Sequence, residues 1–254
     1  MSLQRIQLIE ELAANAWPAQ VNQALGGWRL RFNDGVTSRA NSVWPNADGG
    51  CVPLAERLDL VEDFYTHHGI PPCYQITPAA RPADLDTVLA ARGYTTHSFT
   101  LVETAALAEV VAATLPRPDV RIDLADRLSA DWLAVYRAVE DVSEHALAVR
   151  RGILRRIGPR VGYALARLDG EAVGVGLGVV ERGWLGVFCM GTAPAARRRG
   201  VGASVLGALA AWACGEGATQ AYLQVVRANA AARALYEGAG FAPLYEYHYR
   251  QRPR

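Results

Sequence analysis

The chain has 254 residues and not one lysine; all 26 of its basic residues are arginine. That absence excludes a Schiff base, a lysine-tethered cofactor and a lysine general base, and it excludes the GK[ST] ending of an NTPase phosphate loop. Cysteine is scarce too. Cys51, Cys73, Cys189 and Cys214 form no CxxC pair and stand at no metal-ligand spacing from a histidine. They read as reduced core residues of a cytoplasmic protein, with neither a disulfide framework nor a metal expected. His67 and His68 are neighbours, about 100° apart on a helix, and make a poor chelate. No apolar run reaches 18 residues: Val201 to Cys214 suits a packed helix, and a membrane span is not expected. Residues 1–17 carry the acidic pair Glu10 and Glu11 and no basic lead into an apolar core, so no secretory signal is expected either.

What is present fits folded domains. Half the residues, 51%, are hydrophobic and 20% are charged, enough apolar material for two ordinary cores. Charge is uneven along the chain. Residues 1–120 hold 8 arginines against 13 acidic residues, a net −5, and residues 121–254 hold 18 against 12, a net +6. An anionic ligand is expected on the second half. Nucleic acid is not, because no helix-turn-helix or zinc-finger spacing appears and the arginines are not interleaved with aromatics.

In the first half, periodicity predicts helices over 3–16, 53–68 and 82–92. Strands are predicted over 28–32 and 36–43, joined by the turn Asn33-Asp34-Gly35, and over 73–76 and 94–102. Residues 103–118 read as a short alanine-rich helical stretch and then Leu115-Pro116-Arg117-Pro118, which breaks regular structure. The second half reads as strand 120–124, helices 129–139 and 143–157, a hairpin 161–168 and 171–180, strand 184–192, helix 200–215, strand 219–226, helix 229–239 and strand 244–249. This order gives an α/β (α+β) mixed sheet flanked by helices.

The sharpest local signal is TAPAARRRGVGA, residues 192–203. Pro194 ends a strand, and Gly200 and Gly202 let the backbone tighten into a helix start where unpaired N–H groups and the helix dipole favour an anion. Three adjacent arginines add charge. The arrangement is a pyrophosphate cradle, though not a dinucleotide fingerprint, since Val205 stands where GxGxxG requires a third glycine.

This stretch resembles the acetyl-coenzyme A loop of the GCN5-related N-acetyltransferases, V-x-P-x-x-[RQ]-x-x-G-x-[GA], with Thr192, Pro194, Arg197, Gly200 and Gly202 at its defined places. Downstream, Asn229, Ala232, Leu235, Tyr236, Gly240 and Phe241 resemble the family's N-x-x-A-x-x-L-Y-x-x-x-G-F. With the order of strands and helices around the two motifs, the resemblance covers about residues 118–250. The resemblance implies an acyl-CoA N-acyltransferase fold. It implies that backbone N–H groups of Arg198, Arg199, Gly200, Val201, Gly202 and Ala203 hold pyrophosphate, with Arg197 shaping the loop. Cys189, Met190 and Thr192 would lie on the strand edge that pairs with the pantetheine arm, and strand 219–226 would splay away to open the cleft. Asn229 would meet the cofactor arm or cap its own helix. Tyr236 would protonate the departing thiolate. Family members often place a glutamate on the strand before the loop, but residues 183–192 hold no ionisable carboxylate. Of Glu140, Asp141 and Glu144 at the junction of two helices, Glu140 is the preferred general base, against a base acting through water or an amine that arrives neutral.

Leu85 to Tyr94 repeats the tail of the second motif, with Gly93 opposite Gly240, Tyr94 opposite Phe241 and Leu89 opposite Tyr236. The expectation is two similar domains in tandem: a degenerate one over 1–103 without the cofactor loop, a linker over 104–118 and a catalytic one over 119–254. The expected activity is acetyl transfer from acetyl-coenzyme A to a primary amine of a small molecule. The alternatives are acetylation of a protein amino terminus or lysine, and a non-catalytic acyl-coenzyme A sensor. No nucleic acid or membrane partner is expected, and a homodimer is left open.

Overall fold

The computed structural model describes residues 2–48 and 52–253. The helices are α1 (Leu3–Ala16), α2 (Leu54–His67), α3 (Leu85–Ala91), α4 (Leu107–Ala113), α5 (Ala130–Glu140), α6 (Glu144–Arg156), α7 (Val201–Gly215) and α8 (Ala230–Gly238). The strands are β1 (Val21–Leu25), β2 (Trp28–Phe32), β3 (Val43–Trp44), β4 (Cys73–Ile76), β5 (Thr95–Ala106), β6 (Val120–Ala125), β7 (Arg160–Leu168), β8 (Glu171–Glu181), β9 (Trp184–Thr192), β10 (Gln220–Val226) and β11 (Ala242–Gln251). They form two compact units. Unit 1 takes the chain up to Leu101 and again from Tyr245, and unit 2 takes Val102–Leu244.

In unit 1, β2 puts Trp28 and Leu30 into a core with Leu58, Val61 and Tyr65 of α2 and Tyr74 of β4, as its alternation requires. Its ladder partners differ from the expected ones. β2 pairs antiparallel with β1 along its whole length and with β3 over only two residues. The predicted strand 36–43 is a loop with a 3₁₀ turn at Ser38–Ala40. Asn41 captures that segment: its Oδ1 accepts from the N–H groups of Asn33 (2.7 Å) and Gly35 (3.0 Å), and its Nδ2 donates to the carbonyls of Val36 (2.7 Å) and Thr37 (2.9 Å). A side chain that satisfies this much backbone leaves little for a ladder. β4 pairs antiparallel with β11, His248 opposite Ile76.

Unit 1 also buries a polar chain. Glu10 is 2% exposed and Arg31 3%. Arg31 Nη2 donates to Gln75 Oε1, and Gln75 Nε2 donates to Glu10 Oε2, both at 2.8 Å. Tyr245 gives its hydroxyl to Glu10 Oε1 at 2.6 Å. Burial pushes the Glu10 carboxyl up and the Arg31 guanidinium down from their ordinary pKa values.

In unit 2 the sheet runs β10-β9-β8-β7-β6, with the end of β5 beside β10. Gly174, Gly176 and Gly178 line one face of β8 at the period of two that a strand imposes. A Cβ on Gly174 would come 2.6 Å from Val201 and one on Gly176 2.5 Å from Val205. This glycine row lets α7 lie flat against the sheet and aims its N-terminus at the end of β9. Within the segment expected as a linker, 104–118, the alanine-rich helical stretch stands as α4, but β5 also runs on to Ala106 and α4 packs into a core, with Leu107 and Val110 fully buried. The unit boundaries also differ from those expected, because the chain enters unit 2 within β5 and leaves it within β11.

The cysteines correct a further expectation. Cys73 is buried, Cys189 half-buried and Cys214 exposed, all as free thiols, and Cys51 lies outside the described residues. Cys214 stands near the end of α7, past the stretch that packs on the sheet. No described helix is long and apolar enough to cross a membrane.

Candidate functional site

Two strands that part create the site. β10 pairs parallel with β9 from Gln220 opposite Trp184 to Leu223 opposite Val187. Beyond that point both strands continue without pairing to each other, so β9 presents backbone groups after Val187 along an open edge. On its other side β9 carries an extra residue. Val175 opposes Gly191 and Leu177 opposes Phe188, leaving Cys189 and Met190 against Gly176 alone, with Cys189 at φ 51°. Such a bulge turns backbone groups out of the ladder and re-aims them.

The strand leads into the cradle. Pro194–Ala196 makes one 3₁₀ turn, and Arg197 Nε donates back to the Thr192 carbonyl at 3.3 Å, tying the loop to the strand end. Gly200 adopts φ 77° as N-cap of α7 and supplies no capping side chain. In that left-handed conformation a β-carbon is strained, and here it would also run into Arg117. The first N–H groups of α7 therefore face outward uncapped, where an anion satisfies them.

A cleft of about 730 Å³ runs along these elements. Met190, Gly191 and Thr192 of β9 form one wall, and Arg197, Arg198 and Gly200 to Ala203 form its floor. Asn229 and Tyr236 come from the α8 side, and Val139 and Glu140 from the end of α5. Of the expected catalytic and cofactor-binding residues, the cleft gathers all but Cys189 and Arg199, and of the three carboxylates at the helix junction Glu140 lines it while Asp141 and Glu144 do not. Cys189 lies beside it, near Tyr136, Tyr163 and Tyr236, whose hydroxyl pKa values are raised first by burial and further by Cys189. Arg199 points away, half-exposed, toward Asp169 at 3.8 Å.

Asn229 is the N-cap of α8, its Oδ1 accepting from Ala232 N at 3.1 Å. Tyr236 is 7% exposed. Burial first, then the neighbouring Glu103 carboxylate and Cys189, push its hydroxyl up to about 12. Glu140 is not free: its Oε2 receives Arg150 Nη1 at 2.9 Å, and the same Nη1 donates to the Tyr136 hydroxyl at 2.8 Å. Trp132 locks this corner, stacked on Tyr136 with ring centroids 5.1 Å apart and its indole N–H on the Gly176 carbonyl opposite the bulge.

Sequence reasoning missed three residues here. Glu103 on β5 is 3% exposed, and burial raises its pKa against the pull of Arg233. It fell at an expected domain edge, where periodicity carries no signal. Tyr136 and Arg150 belong to no motif. Their meeting across two helices depends on the turn at Asp141, which takes a left-handed conformation with φ 48°.

The whole chain has relatives. A family model described as "Probable histone acetyltransferase Rv0428c C-terminal" matches residues 4–252. A protein of Bacillus subtilis (strain 168), described as "Uncharacterized N-acetyltransferase YobR", is 32% identical over 245 residues, spanning 96% of this chain and 98% of its own. The structure of a GCN5-related N-acetyltransferase from Kribbella flavida matches with TM-score 0.70 at 18% identity, over 96% of this chain and 95% of its own. A tandem protein from the clavulanic acid biosynthesis pathway matches with TM-score 0.63 at 13% identity, over 77% of this chain and 68% of its own. At such identities the structural likeness is one of fold.

Proposed function

Because the chain belongs to the GCN5-related N-acetyltransferases and is an acetyl-coenzyme A-dependent transferase, we propose that it acetylates a primary amine of a small molecule by direct transfer. The observation that carries this reading is the open edge of β9 running into the uncapped start of α7. That edge and cradle form one continuous groove of backbone donors, suited to an extended amide-containing arm that ends in a pyrophosphate. When bound, acetyl-coenzyme A supplies the acetyl group as a thioester.

The chain's own groups then divide the work. N–H groups from Arg198 to Ala203 neutralise phosphate charge, helped by the α7 dipole. The bulge at Cys189 and Met190 frees a backbone N–H for the carbonyl oxygen, where charge develops as the amine attacks. Tyr236, protonated throughout the neutral range, holds a proton for the sulfur. Glu140 is the carboxylate that faces the acceptor, with only Oε2 engaged by Arg150, and it takes the proton lost by the amine. Screening primary amines by mass spectrometry with acetyl-coenzyme A tests the reading. Failure of every amine to become acetylated would overturn it.

Two binding results are expected. A Cβ at Gly202 would stand 3.2 Å from Leu235 and point into the cleft, so Gly202→Asp adds bulk and negative charge at the cradle. Calorimetry should show affinity for acetyl-coenzyme A falling by well over about tenfold, more than about 1.4 kcal/mol, in a variant that still folds. The second concerns stoichiometry. α3 and α8 close with matching hydrogen bonds, Tyr94 N to Leu89 O and Phe241 N to Tyr236 O, both 3.0 Å. Residues 1–84, however, contain no R-x-x-G-x-G. Titration of the whole chain should therefore give one site, and two sites of similar affinity would show that unit 1 binds acyl-coenzyme A as well.

A further inference from the structure

Strand β6 closes the sheet of unit 2. Among the described residues it pairs with β7 alone, from Val120 opposite Leu168 to Ala125 opposite Tyr163. The outer edge of such a strand offers N–H and C=O groups to a further strand, and its side chains decide which strand that is. β6 reads Val120-Arg121-Ile122-Asp123-Leu124-Ala125. Ile122 stands opposite Ala166 and Ala166 opposite Gly174, which faces α7. Residues opposed across a ladder share a face and neighbours along a strand alternate. Val120, Ile122 and Leu124 therefore form an aliphatic row on the α7 side, with Leu124 still 38% exposed, and Arg121 and Asp123 stand on the other face.

That order is complementary to its own reverse. In an antiparallel pair of β6 strands about a twofold axis at Ile122, Arg121 faces Asp123 of the second copy and Asp123 faces its Arg121. On the other face Val120 meets Leu124, and Ile122 meets Ile122. Each side chain must keep to its own face of the sheet, so the axis can shift only by whole residues. At Arg121 it would oppose two arginines and set Asp119 against Asp123, and at Asp123 it would oppose two aspartates, both unfavourable. Within one chain Arg121 and Asp123 already bond at 2.9 Å, and Asp123 also meets Arg167 at 2.9 Å. The Arg121 side chain is 80% exposed and that of Asp123 36%, so the pair contributes little alone and stays open to a second counter-charge. Pro118, with no N–H to give, limits the ladder at its start.

We propose that two copies of this chain form a twofold dimer through β6, the sheet of unit 2 in one running on into that of the other. Charges on an edge strand ordinarily turn other strands away. Here their alternation with aliphatic residues admits a strand of the same sequence in one register. β7 and β8 separate this edge from β9, so the dimer and the chemistry of the cleft stand or fall separately.

Sedimentation velocity of the full chain over a concentration series should show a monomer–dimer equilibrium. Arg121→Asp turns both cross-strand ion pairs into repulsions and should raise the dissociation constant by about tenfold or more. Asp123→Arg should do the same by opposing arginines. An equimolar mixture of the two variants should dimerise again, because every aspartate of one then faces an arginine of the other, a recovery that loss of folding would not allow. A wild-type chain that stays monomeric up to about 0.1 mM, a dimer indifferent to Arg121→Asp, or two folded variants that ignore each other in the mixture would each overturn the pairing. If Asp123→Arg does not fold, the wild-type chain and Arg121→Asp decide.

Discussion

Tyr236→Phe should lower single-turnover acetyl transfer by about 10² to 10³, roughly 2.7 to 4.1 kcal/mol of barrier, while acetyl-coenzyme A affinity and thermal stability change little. The substitution deletes one hydroxyl and keeps the ring, which packs edge-on against Phe241 at 5.9 Å. Its size follows from the environment. A hydroxyl held at about 12 gives up its proton less readily than a thiol of ordinary pKa near about 8.5 would, so the lower part of the range for a positioned acid applies. The same argument orders a second variant. Glu103→Gln removes a negative neighbour, should lower the Tyr236 pKa, and should not slow the step that Tyr236 serves. Single-turnover kinetics is the appropriate measurement because product release can mask chemistry at steady state. Near-normal transfer by Tyr236→Phe would return Tyr236 to a core aromatic.

Arg31→Met should destabilise the protein by about 3 to 5 kcal/mol at pH 8, the loss expected when one member of a buried charged network is removed and its counterpart stays. The counterpart is Glu10, reached through Gln75. The pH dependence has a definite sign. The folded pKa of Glu10 is raised above the ordinary value of 4.5, so its contribution to stability is fully present below that pH and is lost as pH rises through the folded value. Without Arg31 the folded value climbs further, and the variant should suffer less at pH 5 than at pH 8 in urea unfolding. Adding Glu10→Gln should recover much of the loss at pH 8. A loss that is independent of pH and not recovered would place the cost in packing alone.

Elements bounded by glycine or proline were legible from the sequence almost residue by residue. β9 was predicted at 184–192 and stands there, and α7 begins one residue after Gly200, because the chain has few conformations available at such positions. Most of the cleft was legible for the same reason, since a cradle of backbone groups requires glycine at fixed places. Features that depend on one side chain reaching across the fold were not. Asn41 converts a strand-like run into a loop through four backbone groups at its own end of β2. The Arg150–Glu140 pair spans ten residues and a turn, and Glu103 is buried by partners that come later in the chain. In residues 104–118 the helix was legible and its role as core was not: the prolines at 116 and 118 suggest a linker, while Leu107 and Val110 ahead of them already belong to a core.

The passage of the chain between its units sets an order of assembly. Unit 1 draws its β4 partner, and the tyrosine that meets Glu10, from residues after 244. During synthesis, when domains ordinarily fold in the order they emerge, the first hundred residues therefore appear with an unmatched strand edge and a buried-to-be carboxylate short of a donor. They must wait through the whole of residues 102–244, which hold everything needed to build the cleft. The half that is translated first is completed last, and a nascent chain paused before Tyr245 would hold every residue that lines the cleft while unit 1 still lacked the β11 residues that pair with β4.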